Sequence, residues 1–124
     1  MDFLLVMIGG GLGSGFRHVT NLVAARLLGT AFPYGTLTVN IAGSALIGLL
    51  FGIFATHAEW SHPLYLFLTA GFLGGYTTFS AFSLDIALLH ERGANGLAAL
   101  YVALSVIAGI AGLFAAMLAA HYFF

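Results

Sequence analysis

The chain has no cysteine and no lysine, and only seven formal charges, three Arg and four acids, in 124 residues. The missing Cys excludes disulfides, thiolate metal sites and Cys nucleophiles, and leaves the redox compartment open. Charged residues make up 6% and apolar residues 61%, against roughly 25% charged in an ordinary soluble domain. That is too little polar material to clothe a water-soluble globule of this length. A formal net charge of -1 removes the basic field that DNA or RNA binding needs, so nucleic acid is no partner. What remains is an integral membrane protein, with the lipid bilayer as its main solvent.

Ionisable residues mark out four spans. Phe3 to Phe16 is uncharged, Arg17 and His18 interrupt, and the apolar run resumes to Arg26; Tyr34 to Thr56, Pro63 to Leu84 and Gly93 to Ala120 are uncharged. The last three reach the ~20 residues that cross a hydrocarbon core of ~30 Å. The pattern predicts one all-α membrane domain over 1–124, with helices near 3–28, 34–56, 63–89 and 95–122. Short connections fall at Gly29 to Pro33, at His57 to His62 with Glu59 and Trp60, and at His90 to Gly93. No period-two alternation is present, so helices rather than a barrel satisfy the backbone in lipid. No positive n-region precedes the first apolar run, so that span is expected to be retained and not removed as a signal peptide. Arg26 and Arg92 share one side of an even-span topology, a small bias that leaves insertion in both orientations open.

Small residues recur four apart: Gly9 with Gly13, Gly11 with Gly15, Ser44 with Gly48, Gly48 with Gly52, Gly71 with Gly75, and Ser105 with Gly109. Such faces let helix backbones approach closely in lipid. Six pairs exceed what one small bundle needs, and the expectation is a homodimer.

The third span carries a polar interruption, Gly74-Gly75-Tyr76-Thr77-Thr78, flanked by Phe79, Ser80, Phe82 and Ser83. Adjacent glycines and β-branched residues are poor helix formers, so a helix break is expected near Gly74 to Thr78. Freed carbonyls at such a break are ready ligands for a hard cation; the plainer alternative is that the glycines serve close packing. In the second span Thr36 and Asn40 lie one turn apart, and Asn40 is either helix-to-helix glue or a donor to a passing solute. Tyr101 and Ser105 form a hydroxyl stripe one turn apart on the fourth span. Phe79 and Phe82 share a face; they are either lipid and core contacts or ring edges, electropositive, that face an anion. Arg17 either snorkels to headgroups or draws anions to a pore mouth. Asp85 reads as a boundary residue.

Enzyme motifs fail. Gly9 to Gly15 lacks the final Gly of a dinucleotide fingerprint and the Gly-Lys-Ser/Thr of a phosphate loop. The five His are scattered and lack supporting ligands, no Ser sits in a nucleophile elbow, and no carboxylate pair lies within a span.

The stretches Gly35-Thr36-Leu37-Thr38-Val39-Asn40-Ile41-Ala42-Gly43-Ser44 and Gly71-Phe72-Leu73-Gly74-Gly75-Tyr76-Thr77-Thr78-Phe79-Ser80 closely resemble the bacterial Fluc or CrcB family of fluoride channels. Gly9 to Gly13 with Arg17 fits as well, and the resemblance covers the whole chain. It implies an antiparallel, dual-topology homodimer in the bacterial inner membrane, with two fluoride pores and one structural sodium ion at the dimer centre. By the same resemblance, Gly74 and Thr77 carbonyls hold the sodium, and Asn40, Phe79, Phe82, Tyr101, Ser105, Thr36, Ser80 and Ser83 line the pore. Arg17 matches a vestibule Arg. Ala81 stands where a Thr is common and Asp85 where Glu is usual, and beyond Ser105 the span offers only Gly and Ala where relatives carry further hydroxyls. The implied activity is passive fluoride efflux, without catalysis. The alternative is a small multidrug-type dual-topology transporter, which needs a membrane-embedded Glu in its first span; this chain has none. A purely structural membrane subunit is a third possibility.

Overall fold

The computed structural model describes residues 2–57 and 62–124. Those residues are helical apart from short connections, with no strand among them. The helices are α1 (Asp2–Leu28), α2 (Tyr34–Thr56), α3, α4 (Phe79–Glu91) and α5 (Asn95–Phe123). α3 is composite: α-helical at His62–Leu66, π-helical at Phe67–Leu73, and closed by one turn at Gly74–Tyr76. Three segments are long and apolar enough to cross a membrane: Tyr34–Thr56, His62–Glu91 (α3 with α4) and Asn95–Phe123. α1, at 27 residues, is roughly 40 Å long at 1.5 Å per residue and carries Arg17 and His18 within its length. The connection expected at His57 to His62, with Glu59 and Trp60, falls largely on 58–61, outside the described residues.

Glycine and proline set the other connections. Gly29 ends α1 in the left-handed region (φ 83°), and Pro33 precedes α2, its carbonyl accepting from the Leu37 amide at 3.1 Å. After α4, Gly93 takes φ 74°; its amide donates to the His90 carbonyl at 2.9 Å and that of Ala94 to Leu89 at 2.8 Å. These two bonds form a Schellman motif, in which a residue without Cβ avoids the strain of positive φ. The Arg92 guanidinium donates to the Ala31 carbonyl at 2.7 Å, which ties the two connections together at one end of the bundle.

Packing follows the glycines. Gly9 lies against Gly71 and Phe72, Gly13 against the Phe72 carbonyl, and Gly10 against Gly75, so α1 and α3 run side by side in the same direction. α2 and α5 are likewise parallel: Gly48 meets the Leu113 carbonyl, Gly52 meets Met117 and Ala120, and Gly109 lies beside Ser44. The helices expose much of their apolar surface, with Leu118, Ile107 and Phe3 on the outside, as expected where the surroundings are as apolar as the core. A small buried cluster of Phe32, Leu89, Ala98 and Tyr101, with Phe82 and Ile86 against it, joins α4 to α5.

Five of the six small-residue pairs have a glycine met by a neighbouring helix within one copy, whereas Gly11 and Gly15 meet nothing. One sequence expectation changes here: the break is narrower than Gly74 to Thr78. Gly74–Tyr76 stays helical, with Gly75 pressed against Gly10 of α1, and the extended backbone falls on Thr77 and Thr78, where β-branching favours it.

Candidate functional site

Thr77 (φ -84°, ψ 157°) and Thr78 (φ -153°, ψ 122°) are both extended. The Thr77 amide still completes the helix by donating to the Leu73 carbonyl at 3.0 Å. One residue later the ladder is diverted. The Thr78 amide donates to Asn40 Oδ1 at 2.8 Å, and Asn40 Nδ2 donates to the Thr78 carbonyl at 3.0 Å. The Ala81 amide donates to Thr78 Oγ1 at 3.1 Å, an N-cap that starts α4. In a continuous helix, Thr78 N–H would serve the Gly74 carbonyl and Ala81 N–H the Thr77 carbonyl. The two diversions therefore release the Gly74 and Thr77 oxygens, and Gly74 faces the outside of the single copy. Gly75 O is met by Ser14 Oγ at 3.4 Å.

Two clefts flank Thr78. One, of about 380 Å³, is lined by Asn40, Gly43, Ser44, Thr77, Phe79 and Leu113 among others. Gly43 matters here, because a Cβ at that position would strike the Thr77 methyl. The second, of about 470 Å³, brings Arg17, Ser14, Asn21 and Ser80 to the other side.

Beyond the break an aromatic chain leads inward. Phe79 and Phe82 have centroids 5.7 Å apart, and Phe82 lies 5.1 Å from Tyr101, which meets Phe32 edge-on at 5.6 Å. Phe79 is 78% exposed, whereas Tyr101 is fully buried. The Tyr101 hydroxyl donates to Asp85 Oδ2 at 2.9 Å, and Thr36 is buried beside it. One turn along α5, Ser105 Oγ is buried with no hydrogen-bond partner, a polar atom with capacity for a guest.

A sequence profile described as CrcB-like protein, camphor resistance (CrcB), matches residues 4–117. The chain belongs to the CrcB family. Relatives from Rhodopseudomonas palustris, Nitrobacter hamburgensis and Methylobacterium nodulans align over 117 residues, 94% of this chain and of each relative, at 61%, 53% and 55% identity. The first and third are named fluoride-specific ion channel FluC, and the second fluoride-specific ion channel FluC 2.

Of the residues singled out in this CrcB-family sequence, the fold gathers Asn40, Phe79, Phe82, Tyr101 and Thr36 around α4 and its entry. Arg17 and Ser80 share the second cleft. Ser83 stands apart, exposed, its Oγ donating to the Phe79 carbonyl at 3.1 Å. Sequence reasoning missed Thr78 as the node between both clefts and took Asp85 for a boundary residue. The spacing of Asp85 within a polar segment was the available signal; its pairing with Tyr101 across helices was not visible in either segment alone.

Proposed function

We propose that the chain is a passive, fluoride-selective channel that lowers cytoplasmic fluoride. The observation that carries this reading is the clamped break at Thr77 and Thr78, from which Phe79 and Phe82 lead to Tyr101, in a chain whose relatives bear the name fluoride-specific ion channel. Hydrofluoric acid crosses membranes as a neutral molecule and ionises inside, so a pore running down the gradient protects the cell. The path would use ring edges of Phe79 and Phe82 and hydroxyls of Tyr101, Ser105, Thr36, Ser80 and Ser83, with Asn40 at its side holding Thr78. Arg17 would draw anions to the second cleft. Ring edges and hydroxyls attract an anion without the deep trap of a cation in the path. A larger halide regains too little of its hydration energy in so narrow a passage.

The working unit in this reading is an antiparallel dimer of four-span subunits. Support comes from the break itself: Gly74 is exposed in one copy and clefts open on both sides of Thr78, and backbone oxygens freed at membrane depth need protein cover or a wet cavity. A second copy supplies that cover. The parallel course of α1 beside α3 supports a fourth crossing, and three Arg in the whole chain leave orientation nearly unbiased. The released Gly74 and Thr77 carbonyls fit a sodium ion, because they are hard, neutral oxygens whose helical donors are engaged elsewhere. Bound sodium would supply charge that holds two breaks together; the chain's own part is to keep those carbonyls free of helical donors. The multidrug-type alternative lacks its proton carrier, since the acid of α1 is Asp2 in the first turn.

The test is fluoride release from liposomes that hold the purified chain, driven by a potassium diffusion potential and read with a fluoride electrode. Rapid release supports the channel; release no faster than from empty vesicles removes it.

A further inference from the structure

We propose that Asn40 is a positioning residue whose side-chain amide replaces the helical partners of Thr78 and so sets the geometry of the break. The inference rests on the channel reading and assigns Asn40 a task other than contact with the ion. An extended residue points its N–H and C=O to the same side, whereas a helical residue points them in opposite directions along the axis. Thr78 is extended, and both its groups meet the one amide of Asn40, at 2.8 and 3.0 Å. A planar amide carries a donor and an acceptor side by side, so it matches an extended residue as a neighbouring strand would. Neither a hydroxyl nor an ionised carboxylate does so.

Asn40 itself sits on a fixed support. It lies on α2, which is locked to α5 where Gly48 meets the Leu113 carbonyl. The clamp therefore refers the break to the closely packed α2–α5 seam. Moving Thr78 would move the N-cap of α4, and with it Phe79, as well as the Thr77 carbonyl next to it. The amide retains one N–H, and the clamp accounts for Asn40 without it.

An aspartate at this position separates the two tasks. Protonated, its carboxyl donates to the Thr78 carbonyl and accepts from the Thr78 amide, which rebuilds the clamp and leaves no spare hydrogen. Ionised, it presents an oxygen to the Thr78 carbonyl and breaks it. The cleft that Asn40 faces holds no titratable side chain among its lining residues. Arg17 and His18 reach Thr78 from its second cleft, and Asp85 and Tyr101 lie beyond Phe82. All four are present in the parent, whose own pH profile is the reference.

The experiment compares liposome fluoride flux per folded protein for the parent, Asn40→Asp and Asn40→Ala at about pH 8 and about pH 6, a range in which a buried carboxyl takes up its proton. The proposal predicts that Asn40→Asp gains on the order of tenfold on acidification relative to the parent and approaches it, while Asn40→Ala stays low at both values. If Asn40→Asp stays low at both pH values while folded, the spare N–H is what matters and the proposal is wrong. Parent-like flux at both values, or an equal gain in Asn40→Ala, also overturns it. Where Asn40→Asp fails to fold at about pH 8, purification at about pH 6 decides: folded dimer there supports the clamp, and none there overturns it. A parent without flux refutes the channel reading instead; the clamp is then judged by melting temperature in detergent, where Asn40→Asp is expected to approach the parent on acidification and a constant gap contradicts it.

Discussion

The α2–α5 seam and the Thr77–Thr78 break meet in the cleft that Asn40 lines and solve the same problem in opposite ways. Along the seam every backbone hydrogen bond stays within its own helix, and the helices meet through the absence of side chains, as at Gly48 and Gly52. At the break the backbone leaves its ladder, and side chains of Asn40 and Thr78 take over as partners. Close backbone contact makes a rigid wall with no chemistry to offer. A diverted ladder frees oxygens at membrane depth, and it persists because Asn40 and the Thr78 hydroxyl satisfy the diverted groups.

The largest effect should come from the wall. Gly48→Leu drives a side chain into the Leu113 carbonyl, which no rotamer relieves, and a loss of about 3 kcal/mol or more is expected. Gel filtration should show little folded protein; normal yield would mean that the seam is looser than described. Next come Phe79→Ile and Phe82→Ile, which keep apolar bulk and delete the ring edges. Fluoride flux should fall by on the order of tenfold or more while the yield of folded protein stays unchanged, the reverse of the seam variant. Parent-like flux would make the rings packing residues. Thr78→Val removes the N-cap of α4 but keeps β-branching, and should lower stability by about 1 kcal/mol, read as a lower melting temperature in detergent. Gly11→Ala, where a Cβ meets nothing within one copy, should change stability by less than about 0.5 kcal/mol. A large loss there would place that face of α1 against a second copy.

Much of this was legible from charge placement. The uncharged runs of Tyr34 to Thr56 and Gly93 to Ala120 coincide with α2 and much of α5, because lipid tolerates few charges and water-facing turns collect them. The polar interruption in the third segment was legible because Gly and Thr are poor helix formers. Its register was not, since glycine there has two uses, and only the position of Gly10 against Gly75 decides between them. The π-helical stretch Phe67–Leu73 left no composition signal that separates it from ordinary helix. The Tyr101–Asp85 bond and the grip of Asn40 on Thr78 join residues distant in sequence, 16 and 38 positions apart, and local pattern carries no record of such partners. The small-residue pairs were legible as packing faces, but not which helices they join: only the fold shows that α1 meets α3, and α2 meets α5, along most of them.

The central claim is that the clamped break and its aromatic chain make a path for fluoride and not for other halides. It is tested most directly in a planar bilayer holding the purified chain, with a fluoride gradient opposed by an equal chloride gradient. The current should reverse at the equilibrium potential of fluoride. Reversal at the chloride potential or at zero, or no current from protein that is folded and inserted, would contradict the account.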